Sequence, residues 1–187
     1  QKGFDRYYGF LQGETDQFSP ELTHDNHHVD PPATAADGYH VSEDVVDRSM
    51  GWIRDLTSMR PDRPFFLYLA FGATHAPHQA PAEYLERWRG RFDDGYDAAR
   101  ERWFARQLEL GVVPEGTTLA PRNPGVPAWD ELTENQQRFA ARLQEAFAAQ
   151  LEHTDAQIGR LTAFLAERGL LEDTLLLVLS DNGASRE

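Results

Sequence analysis

Two oxygen-bearing side chains follow an apolar run near the end of the printed sequence. Residues 175–180 lead directly into Asp181, Asn182 and Gly183. A short continuous apolar run is typical of a strand buried in a parallel sheet, and open α/β sheets bind ligands beyond the carboxyl ends of such strands. Carboxylate and amide oxygens are the ligands that Ca²⁺ and Mg²⁺ prefer, so Asp181 and Asn182 predict part of a metal site. The alternative is a simple turn, because Asn-Gly is a strong turn signal.

A histidine follows a second apolar run in the same way. Residues 65–71 are apolar or aromatic, and a turn of small residues separates them from His75. If both runs are parallel strands of one sheet, His75 lies at the same edge as Asp181. An imidazole there can donate a hydrogen bond to an anionic oxygen or transfer a proton near neutral pH. Two alternatives stay open: His75 caps local backbone, or His78 is the functional histidine of this segment.

Two helices are predicted to position these runs. The first has Ser42 as its N-cap and ends before Pro61, with one apolar face formed by Val45, Val46, Met50 and Ile53. The second is the longest, with a capping box at Thr133 and Gln136 and a stop at Gly169. Its apolar stripe, predicted to pack against the sheet, consists of Phe139, Leu143, Phe147, Leu151, Ile158, Leu161 and Leu165.

The remaining stretches carry weaker patterns. Residues 1–40 are rich in Gly, Pro, Asp and His, and we expect a surface loop there, followed by an α/β core over 41–187. Within that core, residues 81–130 predict a helical insertion whose second part is rich in Pro and Gly. The first stretch also holds His24, His27, His28, Asp25 and Asp30. No periodicity places these side chains on one face, so we favour a solvated loop at a cleft rim over a second metal site.

The composition excludes several classes of function. The 187 residues carry a net charge of −13, with 18 basic against 31 acidic residues, which disfavours nucleic-acid partners. The chain has no cysteine, so it supplies no disulfide, zinc–thiolate site or thiol nucleophile. Its longest apolar run is about half of what a membrane-crossing helix needs. We therefore expect neither a nucleic-acid partner nor a membrane span.

Four segments together carry a family resemblance. They are GFDRYYGFL at 3–11, PFFLYLAF at 64–71, HAP at 75–77 and DNGA at 181–184. Each is weak alone, but their order and spacing resemble those of the sulfatases, and the chain is similar to the middle of a bacterial arylsulfatase of the alkaline phosphatase superfamily. The resemblance implies an α/β fold, an alkaline-phosphatase-like sandwich with a mixed, largely parallel sheet between helices. It makes residues 1–187 the central part of a single sulfatase catalytic domain.

The resemblance also implies an activity, the hydrolysis of sulfate monoesters such as aryl sulfates. It makes His75 the histidine that contacts the sulfate and its ester oxygen, and Asp181 and Asn182 ligands of Ca²⁺, with Mg²⁺ as the alternative ion. The chain departs from the family at Thr74, where sulfatases commonly have proline. Given the negative charge of the chain, a small sulfate ester is a better expected substrate than a highly sulfated polysaccharide.

The sulfatase nucleophile is absent from the sequence. It is a formylglycine made by a maturation enzyme from Cys or Ser in a Cys/Ser-x-Pro-x-Arg motif, and the 187 residues contain no such motif. We therefore expect the chain to be a fragment that is inactive alone. Two alternatives remain: a phosphodiester or phosphonate monoester hydrolase of the same superfamily, and a non-catalytic binding module. The resemblance is compatible with the bacterial cytoplasm or periplasm.

Overall fold

The structure, a computed structural model, describes residues 3–180 and residue 183. Its helices are α1 (Val41–Met59), α2 (Ala82–Trp88), α3 (Gly95–Glu109) and α4 (Glu134–Glu167). Its strands are β1 (Tyr8–Gly9), β2 (Leu22–His24) and β3 (His27–Val29), and short 3₁₀ turns occur at Ala35–Asp37, Trp129–Glu131 and Leu171–Asp173. Across these described residues, none of the helices combines the length and the apolar character that a membrane span requires.

Helix α1 begins slightly earlier than the sequence predicts. The N-cap is His40 rather than Ser42, and the Nδ1 atom of His40 accepts a hydrogen bond from the Ser42 backbone N–H at 3.2 Å. An imidazole nitrogen can thus replace the hydroxyl that capping statistics favour. The predicted apolar face is confirmed: Val45, Val46 and Ile53 are buried, and Met50 packs beside them.

Helix α4 has the predicted ends but not the whole predicted face. The Thr133 side chain accepts from the Gln136 N–H as expected, and Gly169 follows the helix with a positive φ of 68°. The predicted stripe is buried at Leu161 and Leu165, whereas its first half is exposed at Phe139, Leu143 and Leu151. Over residues 141–153, α4 instead buries side chains next to the predicted stripe, namely Ala141, Glu145, Ala148, Gln150 and His153.

The polar members of that stripe are buried because they find partners on other elements. The Glu145 carboxylate accepts from the Gly90 N–H at 2.8 Å and pairs with Arg142. The His153 ring lies 2.9 Å from a carboxylate oxygen of Glu43 on α1. Hydrogen bonding offsets most of the free-energy cost of burying such polar groups. Partners far away in the sequence therefore favour the face of α4 that is turned inward.

The predicted parallel strands are not paired in the described part of the chain. Residues 65–71 and 175–179 belong to no sheet there, and the sheet that is present is antiparallel. Along 65–71 every second side chain packs on α1 and α4, whereas Phe66 and Tyr68 are 79% and 73% exposed. Residues 175–179 are all exposed. A continuous apolar run predicts a strand that is buried on both faces. In the structure, the described residues pack against one face of residues 65–71 and against neither face of residues 175–179.

The stretch expected to be a surface loop contains the small sheet. Strand β2 lies between β1 and β3, with Thr23 opposite His28 and Tyr8 opposite His24. The β2–β3 turn includes Asp25 with a positive φ of 54°. Strands of two or three residues are too short to show alternating hydrophobicity, which explains why the sequence pattern gave no sign of them.

Within the described residues, the core consists of three clusters that follow the helices. The first joins β2 to the start of α1, and the second joins α1 to the end of α4. The third joins the insertion to the first half of α4 through Phe92 and Trp129. Gly95 opens α3 directly against Trp129, and a Cβ there would lie only 2.1 Å from the indole, so the contact requires glycine. The first two clusters also include Leu69 and Phe71, which immediately precede the segment 72–79.

Candidate active site

His75 lies in a tight turn after the apolar run 65–71. Its backbone N–H donates to the carbonyl of Gly72 at 3.0 Å, and cis peptide bonds occur at Ala73–Thr74 and Ala76–Pro77. The His75 side chain is 43% exposed. Its Nδ1 atom lies 2.9 Å from the carbonyl oxygen of Ala76 and 3.3 Å from a carboxylate oxygen of Glu14. The imidazole is therefore both accessible from solvent and held through Nδ1.

The tautomer of His75 follows from these neighbours. The Ala76 carbonyl can only accept a hydrogen bond, and the Glu14 carboxylate lies beside the same nitrogen, so Nδ1 carries a hydrogen. A histidine held in this way can act as a general acid or base through Nε2.

The N-terminal loop is fastened to the same turn by Gln79. The Gln79 side-chain oxygen accepts from the Gln17 N–H at 2.7 Å, and its NH₂ group donates to Asp16 at 2.8 Å. The hydrogen bond from Gln79 holds the pKa of Asp16 below its ordinary value, with help from the backbone N–H groups of Phe18 and Ser19. Asp16 thus stays ionised, and its oxygens remain available as acceptors. We call the two hydrogen bonds of the Gln79 side chain, to Gln17 and Asp16, the clamp.

Glycine at position 72 lets the loop approach the turn closely. A Cβ on Gly72 would lie 3.0 Å from the Phe10 ring and 3.1 Å from the Gln17 side-chain nitrogen. Such distances are tighter than ordinary van der Waals contact, so a larger residue would push the loop away. The loop and the turn around His75 therefore form one packed unit.

The competing histidine, His78, faces helix α4 instead. Its Nδ1 atom lies 3.3 Å from the side-chain oxygen of Gln150, and its ring packs edge-on against Phe147 with the centroids 5.4 Å apart. Gln150 is fully buried. The two histidines, three positions apart, thus occupy different environments: an accessible turn and a helix interface.

The predicted metal ligands Asp181 and Asn182 lie outside the described residues. Within residues 3–180 and 183, no group of three His, Asp or Glu side chains has the spacing to hold a metal ion. His24 lies opposite His27 in the β2–β3 pair, but the His24 ring contacts Arg6 and lies near Trp52, whereas the side chains of His27 and His28 are exposed. The oxygen chemistry of Asp181 and Asn182 fits Ca²⁺.

A buried histidine pair behind the turn was missed by sequence reasoning. His40 and His153 are each 1% exposed, and their ring centroids lie 4.3 Å apart. The Nε2 atom of His40 faces the carbonyl oxygen of Gln79 at 3.3 Å, which connects the pair to the clamp. No local pattern could have indicated it, because the two residues are more than one hundred positions apart.

Acidification is expected to destabilise the protein through His40. Burial, with the neighbouring His153, lowers the pKa of His40 from 6.5 to about 4, while the hydrogen bond to the Gln79 carbonyl and the charges of Glu43 and Asp16 oppose the shift more weakly. The unfolded chain therefore binds the proton more readily between these values, and stability falls as the pH drops through this window. The loss reaches about 3 kcal/mol at the acid end.

The measurement is urea unfolding between pH 4 and pH 7, with His40→Asn as the matched variant. Asparagine keeps an acceptor for the Ser42 N–H at the helix start but does not titrate in this range. We expect the stability of the variant to depend less on pH. Equal pH slopes for both proteins would contradict the role of His40.

Comparisons with known proteins match most or all of the chain. A family model described as Sulfatase matches residues 1–187. An arylsulfatase of Klebsiella aerogenes is 32% identical over 196 residues, covering 98% of this chain and 40% of that protein. An uncharacterized sulfatase of Schizosaccharomyces pombe is 40% identical over 133 residues, covering 71% of the chain and 24% of its own length. The human N-sulphoglucosamine sulphohydrolase is 29% identical over 133 residues, 70% of the chain and 23% of that protein. The chain thus spans less than half the length of these relatives.

Proposed function

Because this chain belongs to the sulfatase family, we propose that it is the central part of a catalytic domain that hydrolyses sulfate monoesters, with aryl sulfates as the substrate class. The observation that carries the proposal is the family match over all 187 residues. The similarity to an arylsulfatase along 98% of the chain supports the choice of aryl esters. The accessible His75, held through Nδ1, supports it from the structure.

The proposed domain is an alkaline-phosphatase-like sandwich in which 65–71 and 175–179 are parallel strands. Supporting this, the side chains of 65–71 alternate between packing on α1 and α4 and facing away from them. A strand with helices on one face shows this alternation. The sulfatase family implies the α/β fold, to which the four helices and the small antiparallel sheet contribute a part.

His75 is proposed as the general acid for the departing oxygen. An oxygen of the nucleophile would form a bond to sulfur while the sulfur–oxygen bond to the alcohol breaks, and the proton on Nε2 of the imidazolium would pass to the leaving oxygen. The hydrogen on Nδ1 stays in its bond to the Ala76 carbonyl, with the Glu14 carboxylate 3.3 Å from the same nitrogen. A properly placed acid contributes about 10²–10⁴-fold to such a step.

Two further groups complete the proposal. Asp181 and Asn182 would hold Ca²⁺, or Mg²⁺ as the alternative, and the cation would draw negative charge from the sulfate oxygens. The nucleophile would be a formylglycine made from Cys or Ser by a maturation enzyme, at a position outside these 187 residues. Residues 1–187 alone are therefore proposed to be inactive.

The test compares two substrates and two proteins. The enzyme that contains this chain should hydrolyse an aryl sulfate with a higher kcat/KM than the matching aryl phosphonate monoester, and purified residues 1–187 should hydrolyse neither above background. A preference for the phosphonate would indicate a phosphonate monoester hydrolase of the same superfamily. Absence of both activities in the larger protein would indicate a binding module, and sulfate hydrolysis by residues 1–187 would contradict the proposed nucleophile.

A further inference from the structure

Glu14 is the carboxylate that faces His75, and nothing in the family match assigns it a role. We propose that Glu14 is a positioning residue that holds the His75 imidazole in the orientation required for proton transfer. The inference rests on the proposed role of His75. Its basis is the 3.3 Å distance between the Glu14 carboxylate and Nδ1 of His75, across 61 positions of sequence.

The geometry gives Glu14 a function that the Ala76 carbonyl cannot supply alone. The carbonyl belongs to the residue next to His75 and moves with the turn, whereas Glu14 approaches from a separate loop. The hydrogen bond to the carbonyl and the charge contact with Glu14 come from two segments, and together they restrict the rotation of the ring about its side-chain bonds. The carboxylate also carries a negative charge, which favours the imidazolium that a general acid needs before it gives up its proton.

The loop that carries Glu14 is itself fastened to the turn. Two residues beyond Glu14, Asp16 accepts from the Gln79 side chain at 2.8 Å, and the Gln17 N–H donates to the same side chain at 2.7 Å. The close approach at Gly72 adds a packing contact between the two segments. Because its backbone is held on the C-terminal side by this clamp, Glu14 loses less conformational entropy when it meets His75 than an unsupported surface carboxylate would.

The side chains of Glu14 and His75 are exposed, so an effect of Glu14 on turnover can be told apart from an effect on folding stability. The side chains of Glu14 and His75 are 63% and 43% exposed, and exposed ion pairs add little to folding stability. Removal of Glu14 should therefore leave the unfolding midpoint almost unchanged. Its effect should be on turnover.

The experiment uses kinetics of the enzyme that contains this chain. Glu14→Ala should lower kcat by about tenfold with little change in KM, the scale of an exposed charge pair at this distance. Glu14→Gln should retain part of the activity, because its amide oxygen can still lie beside Nδ1 although the negative charge is lost. Across aryl sulfates, the loss should be greatest for phenols of high pKa, since a poor leaving group depends most on the acid.

Glu21→Ala is the matched control. Glu21 is an exposed glutamate in the same N-terminal stretch, and its carboxylate faces the side chain of Gln12. We expect this variant to keep the wild-type kcat for every ester.

A double-mutant cycle gives the decisive readout. If Glu14 acts through His75, Glu14→Ala should cause no further loss in the His75→Ala background. Two results would overturn the proposal for Glu14. One is an equal loss of kcat from Glu14→Ala in both backgrounds, and the other is a loss of kcat that does not vary with the pKa of the leaving phenol. Wild-type kcat in Glu14→Ala while His75→Ala is impaired would also overturn it, and that result would leave the proposed function intact. Wild-type activity in His75→Ala would instead overturn the role of His75 itself.

Discussion

Replacing His75 with alanine should lower the turnover of an aryl sulfate by roughly two to four orders of magnitude. The imidazole lies in an accessible turn, and its Nδ1 atom is engaged by the Ala76 carbonyl and Glu14. Alanine removes the Nε2 proton that would neutralise the departing oxygen, and water must then supply that proton. The measurement is steady-state kinetics of the enzyme that contains this chain, with an aryl sulfate of high phenol pKa, for which the loss should be greatest.

His78→Ala is the matched control for this prediction. His78 is three residues away, but its Nδ1 atom faces Gln150 and its ring packs on Phe147 of helix α4. Its replacement should cost some stability and much less turnover. The reverse ranking of the two variants would mean that His78 is the catalytic histidine.

Asp181→Ala should abolish both bound Ca²⁺ and nearly all turnover. Deleting an anionic ligand leaves the charge of the cation under-compensated, so the site loses its affinity for the ion. The two measurements are elemental analysis of the purified enzyme and turnover of the same aryl sulfate. Asp173→Ala serves as the control, because Asp173 is an exposed aspartate of the preceding 3₁₀ turn. Normal calcium content and normal turnover in Asp181→Ala would contradict the metal assignment.

The sequence predicted the helices best where their signals are local. The capping box of α4 and its glycine stop involve residues at most a few positions apart, and both are confirmed. The same holds for the apolar face of α1. The inward face of the first half of α4 was predicted wrongly. Its buried Glu145 depends on the Gly90 N–H, which lies 55 positions away, and periodicity within a helix carries no information about such a partner.

In the candidate site, too, the sequence predicted local structure but not the contacts between distant segments. The short motif around His75 predicted a histidine in a turn after an apolar run, and the structure describes that turn. The Glu14 and Gln79 contacts join segments about sixty positions apart, and no spacing rule connects them. The roles of His75, Asp181 and Asn182 remain predictions, and the last two lie outside the described residues.

Because the side chains of residues 65–71 alternate in direction, substitutions in this short segment fall into two sets with different packing constraints. Phe65, Leu67, Leu69 and Phe71 pack against helix cores, where a change of one methylene group is felt. Phe66 and Tyr68 face away from those helices, so their size is not limited by them. Sequence drift at the first set must be matched by compensating changes in α1 or α4. Drift at the second set is uncoupled from both helices, and the two sets can diverge at different rates within a single apolar run.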